Sequence, residues 1–424
     1  QSLQSTLHPA GGLGVTSLAV VYGTTVISCL AAPWLINRLT TKWTVVIAFS
    51  TYAGYFAASF YPQRALILPL SVLLGALAGP MWSAQATYVT TLALTYAQHR
   101  RIVFESEDVI NQFMGVFFGF FRCSQIWGNL ISTLILARNE TAGSEIDDAG
   151  VSFSLGLGAN QTLLSSATTS VAASVSDTTK HLLLATYLGC VLLAAVIVVT
   201  LLDQIHKGKT EADPEFSQTS LELSLATARM LKDTKCLLLM PMVLFLGLEQ
   251  GFMFSDFTKA YVNCAMGLHN IGPILICFGT VSAISSIAIG CISRHIKRFA
   301  FMAAGATFNG GLLIVLCLWR PVKQDVPNFY VVSACMGLCD AIWQTQTYTL
   351  FGVLFSHKQE AAFASYRMFH AGGCAVAFGY SYFLCVQTKV FILAGSLVVS
   401  LALYTVIEMK VQLQSQHIGD IVAL

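Results

Sequence analysis

The 424-residue chain is 55% hydrophobic and only 10% charged, with a formal net charge of +2. Its mean hydropathy is +0.68, whereas a soluble domain carries about 25% charged residues. The composition excludes an ordinary soluble domain, and nothing in it points to a nucleic-acid partner.

Taken in chain order, apolar stretches run over 13–37, 43–60, 66–97, 110–137, 181–202, 237–257, 270–292, 299–319, 328–353, 361–386 and 390–407. A bilayer core takes about 20 apolar residues per helix, because lipid cannot satisfy a bare backbone amide. The pattern predicts an all-α polytopic membrane protein. The chain opens on Gln1, and Gln1 to Leu7 reads like the frayed outer end of a helix. A first span is therefore expected to be largely missing, which brings the total to twelve.

If that lost helix runs outward, 14 of the 23 Lys and Arg residues fall in inner loops and the tail, and seven fall outside. This obeys the positive-inside rule. Both Asn-x-Ser/Thr sequons, at Asn139 and Asn160, then lie in an outer loop over 138–179 as expected glycan sites. The predicted setting is the plasma membrane, with the loop outside and the connection over 203–236 cytoplasmic. That connection is polar, and Ser217 to Lys235 fits a surface amphipathic helix.

It also divides the chain into an N-terminal half (1–202), a linker (203–236) and a C-terminal half with its tail (237–424). Two six-helix halves joined by a long inner linker is the layout of the major facilitator superfamily. An internal echo supports it. Trp82 and Gln85 in span 66–97 repeat as Trp343 and Gln346 in span 328–353. These are the fourth and tenth helices, which the pseudo-axis would superpose.

Ionisable residues at membrane depth are costly and normally face a bundle interior. Here they are Arg122, Glu249, Asp256, Asp340, Arg367 and His370. Glu249 and Asp256 are two helical turns apart, and Arg367 and His370 share a face. Arg122 is expected to face Glu249 or Asp340, and Arg367 to lock one of them. Asp256 lies near the outer end and reads as solvated. An ion or proton site and a static salt bridge between the halves both fit these charges.

Trp82, Gln85, Trp343, Gln344 and Gln346 fit an organic-solute site or interhelical packing, in which the amides bond across helices. Gly115, Gly119, Gly279, Gly372, Gly373 and Gly379 are expected to mark close helix contacts. The twelve cysteines show no disulfide or zinc spacing, and no cofactor or metal is expected. There is no H-E-x-x-H, nucleophile elbow or Walker A loop, so no enzyme activity is expected.

Several segments together resemble the animal uncoordinated-93 family. They are Gly12 to Thr16, Met81 to Tyr88, Ile126 to Ser132, Gly247 to Phe252, Asp340 to Tyr348 and Glu360 to Arg367. The resemblance runs the length of the chain and is strongest to the nematode founder and the vertebrate A-type branch. It implies the facilitator fold and an accessory role: regulating a two-pore-domain potassium channel subunit, alongside a small single-pass membrane protein. The loop from Ile36 to Trp43 lacks the Asp usual between the second and third helices of facilitator transporters. Ser293 to Arg298, the equivalent loop after the eighth helix, lacks it too. Two alternatives stand beside the channel subunit: a secondary transporter of a small solute or ion, and a receptor-trafficking escort. On the ninth helix, Ala303, Ala304, Gly305 and Gly310 are small enough to suit a partner contact.

Overall fold

A computed structural model describes residues 13–61, 63–100, 106–140, 177–203, 222, 225–267, 270–381 and 383–423. Every regular element among them is helical. The N-terminal elements are α1 (Leu13–Ser28), α2 (Ala32–Ala58), α3 (Arg64–His99), α4 (Ser106–Glu140) and α5 (Asp177–Leu201). A short α6 (Ala226–Met230) precedes α7 (Thr234–Phe252), which runs on through a π-helical stretch, Met253–Asn263, and a last α turn, Cys264–Met266. Then come α8 (Ile271–Ile292), α9 (Arg298–Leu318), α10 (Val326–Leu354), α11 (Gln359–Tyr380) and α12 (Val386–Ala423).

Eight continuous helical stretches among the described residues are long and apolar enough to cross a membrane. The eleven expected spans map onto them with two adjustments. Thr16–Ala58 is one stretch of 43 residues, about 65 Å of helix at 1.5 Å per residue, enough for two crossings. It breaks at Thr40, whose φ of 68° lies in the left-handed region that a branched residue seldom adopts. The chain turns there from one span to the next. The other adjustment concerns α4 and α11, which carry Arg122, Arg367 and His370 and so are less apolar, yet are 35 and 22 residues long.

Within α1 and α2 a single proline sets the local structure. Pro33 has no N–H to give to the carbonyl of Cys29, four residues earlier, and the helix tightens to a 3-10 turn over Cys29–Ala31. The Cys29 carbonyl accepts instead from the Ala32 N–H and from the Thr227 hydroxyl at 3.1 Å. Thr227 sits on α6, and its own carbonyl accepts from Ser365 on α11 at 3.4 Å. Of the amphipathic helix expected over 217–235, residues 217–221 and 223–224 lie outside the described ones; the described part holds the short α6, which buries Thr227 and Met230 and exposes Arg229.

Two glycine-lined seams bring helix backbones into close contact. Along α4 and α8, a Cβ on Gly290 would stand 3.0 Å from the Asn111 carbonyl and 3.1 Å from the Gly115 Cα. Along α7 and α11, a Cβ on Gly373 would stand 2.9 Å from the Gly247 Cα. The first seam joins the N-terminal helices to the C-terminal ones. Gly119 and Gly279 also lie at close contacts, whereas Gly372 and Gly379 face open space, contrary to expectation. On α9, Gly305 packs against the Trp343 ring and Gly310 is open. All twelve cysteines are free. Asn160 and the side chain of Asn139 lie outside the described residues.

Candidate functional site: charges at membrane depth

Arg122 and Asp340 meet across the two halves. The α4 guanidinium donates to Asp340 Oδ1 on α10 at 2.5 Å, and Arg122 is 1% exposed. Asp340 Oδ2 accepts from Ser282 on α8 at 2.8 Å, and Gln344, one turn along α10, donates to Oδ1 at 3.5 Å. Phe121 and Phe278 flank the guanidinium with ring centroids at 5.4 and 5.8 Å. Of the two partners proposed for Arg122, Asp340 is the one it meets.

Glu249 goes elsewhere. Its Oε1 accepts from the Asn309 amide of α9, which is buried. Asn309 is a residue that sequence reasoning missed, since a neutral amide on a peripheral helix gives no signal of its own.

Arg367 does not lock either carboxylate. Among the described residues its polar partner is His370 Nδ1, at 3.3 Å. Its guanidinium lies over the Trp82 ring of α3, 4.6 Å from the centroid. Trp82 and Arg367 are half-buried. Trp82 meets Phe121 edge-on at 5.0 Å, which makes the Arg367 and Arg122 surroundings contiguous.

The two members of the Trp-x-x-Gln echo have different surroundings. Trp82 sits at the interface under Arg367, whereas Trp343 is fully buried against Phe245 at 6.1 Å. Gln346 donates to Asn111 Oδ1 on α4 at 3.3 Å, a site that also accepts from Thr349 at 2.7 Å, so it bonds across the halves. Gln85 is half-buried.

Asp256 corrects the expectation of a solvated carboxylate. It is 4% exposed, inside the π-helical stretch, and accepts from Lys389 Nζ at 2.6 Å and Ser381 at 3.1 Å. Lys389, which falls between the expected spans 361–386 and 390–407, is 0% exposed.

At the end of the bundle rich in basic residues, Arg298 joins Glu107 of α4 at 2.6 Å and Glu408 of α12 at 3.0 Å. Thr91 of α3 donates to Gln359 of α11 at 3.1 Å. With α6, these contacts tie the halves together at that end. No group of His, Cys, Asp and Glu able to hold a metal is found among the described residues.

A helical bundle of this length and hydropathy is a multi-pass membrane protein. Its fold is that of the major facilitator superfamily: the Escherichia coli fucose:proton symporter FucP superposes with a TM-score of 0.58 at 15% identity, covering 96% of this chain and 93% of that one. Residues 11–405 match the family described as "Ion channel regulatory protein UNC-93", and the chain belongs to that family. It is 37% identical over 421 residues to "Protein unc-93 homolog A" of Xenopus laevis, covering 96% of this chain and 88% of the relative. It is 30% identical over 387 residues to the "Putative potassium channel regulatory protein unc-93" of Caenorhabditis elegans, covering 89% of this chain and 54% of that relative.

Proposed function

We propose that this protein is a non-enzymatic accessory subunit that regulates a potassium channel of the two-pore-domain type at the plasma membrane, with a small single-pass protein as a further partner. Family membership supports the class, and the name of the nematode relative supports the ion. The observation that carries the reading within this chain is the set of ties between the halves. The Arg122–Asp340 pair crosses the bundle at its centre, and Arg298–Glu107 and Thr91–Gln359 cross it at the basic end. A bundle cross-linked at these levels fits a scaffold that presents its outer helix faces to a channel without needing to cycle. We assign the halves to 1–202 and 237–424, with 203–236 cytoplasmic and the loop over 138–179 extracellular and glycosylated at Asn139 and Asn160.

The test is whole-cell current from cells expressing this protein, a two-pore-domain potassium channel, or both. Potassium current should change only on co-expression, at matched surface levels of channel. A flux carried by this protein alone, or a channel left unaltered, would overturn the reading in favour of transport. Loss of a glycosidase-sensitive mobility shift in an Asn139→Gln, Asn160→Gln double variant tests the assigned topology.

A further inference from the structure

We propose that the contact between α3 and α11 is a binding site for a small organic carboxylate, seated on Arg367 and His370 beside Trp82. The argument begins with the pairing of charge. Asp340 is engaged by Arg122 and Ser282, Glu249 by Asn309, and Asp256 by Lys389 and Ser381. Each membrane-depth carboxylate described on α7 and α10 thus has its partner, and Arg367 has no carboxylate among the described residues. A guanidinium does not shed its proton at any ordinary pH. At membrane depth it calls for a counter-charge. The Trp82 ring attracts it but carries no net charge to neutralise it.

The hydrogen-bond inventory points the same way. Arginine only donates, so at 3.3 Å His370 Nδ1 accepts from Arg367, which makes the imidazole neutral with its proton on Nε2. That Nε2–H has no protein partner, although His370 is 2% exposed. Arg367 Nε, the Tyr366 hydroxyl and Arg122 Nη1 are also buried without partners. Tyr366 stacks on His370 with centroids 6.1 Å apart, and the Trp82–Phe121 contact links this group to Arg122. Each of these unspent groups can donate, and there is one net positive charge among them.

A cluster of that kind fits a singly charged acceptor. A carboxylate matches both the charge and the fork of the guanidinium. Phosphate, with about two charges at neutral pH, over-matches a single guanidinium. Trp82 and Phe121 offer an aromatic wall to the body of such a ligand. The inference is independent of the channel reading, and its test involves no channel.

The test is calorimetric titration and thermal unfolding of the purified full chain in detergent, with sodium benzoate as the probe. Benzylamine, inorganic phosphate and sodium chloride serve as parallel arms. Benzoate should bind saturably and raise the unfolding midpoint, while benzylamine does neither. Arg367→Gln should weaken benzoate binding by about tenfold or more, with Arg367→Lys retaining part, because a point charge lacks the planar fork. Absence of saturable benzoate binding to the unmodified chain would overturn the proposal without reference to any variant. So would an equal response to benzylamine, phosphate or chloride, or undiminished binding by Arg367→Gln.

Discussion

The two guanidiniums at membrane depth have opposite surroundings. Arg122, where α4 meets α10, is 1% exposed and ends on a carboxylate at 2.5 Å. Arg367, where α11 meets α3, is half-buried and ends on an aromatic face and a neutral histidine. The first has its counter-charge built into the neighbouring half, so it joins the halves. The second has none among the described residues, so it contributes little to holding them and is left free to meet a ligand. The same residue type is a structural tie in one crossing and a recognition group in the other, and the partner's identity makes the difference.

The sharpest way to break this comparison is to remove the tie. Arg122→Met leaves Asp340 buried opposite an uncharged side chain and should cost about 3–5 kcal/mol, the usual cost of halving a buried ion pair. Denaturant unfolding in detergent would measure it, and Arg122→Met with Asp340→Leu should recover much of the loss. Strict additivity of the two substitutions would refute the pairing.

A smaller effect is expected at the seam that holds Arg367 in place. A Cβ at Gly247 would stand 3.0 Å from the Gly373 Cα and would also strike the His370 carbonyl, and backbone cannot swing aside. Gly247→Ala should therefore destabilise by about 1–3 kcal/mol. Gly310→Ala, with nothing within 4 Å of its Cβ, should be neutral or stabilising by up to about 1 kcal/mol. Equal midpoints for the two variants would contradict the close α7–α11 packing.

The smallest effect belongs to Arg367. Its loss removes a stacking contact on Trp82 and no ion pair, so Arg367→Gln should change stability by no more than about 1 kcal/mol. A loss as large as that of Arg122→Met would mean that Arg367 also serves as a tie, and the contrast would collapse.

Much of the architecture was legible before any coordinates. The spans follow from apolar length, because a helix in lipid must satisfy its own backbone and shed its charges. The facilitator fold followed from the count of spans, the long central connection and the Trp-x-x-Gln echo. That echo is also where sequence symmetry misleads about surroundings. Trp82 and Trp343 occupy equivalent places in the pattern, yet one lies at the interface under Arg367 and the other is sealed against Phe245. Which residues of the neighbouring helices stand opposite each ring decides its surroundings, and periodicity carries no such information.

By itself, then, the sequence determined that this chain crosses a membrane many times and which apolar stretches are long enough to do so. It also carried the motifs of the UNC-93 family. Only the tertiary structure decided who pairs with whom: Arg122 with Asp340, Glu249 with Asn309, Asp256 with the buried Lys389, and Arg367 with no carboxylate among the described residues. The physical reason is one of range. Insertion into lipid depends on the summed hydropathy of about 20 consecutive residues. An ion pair depends on angstroms between side chains up to 218 positions apart, which the packing of helix on helix sets without leaving a mark on the apolar pattern.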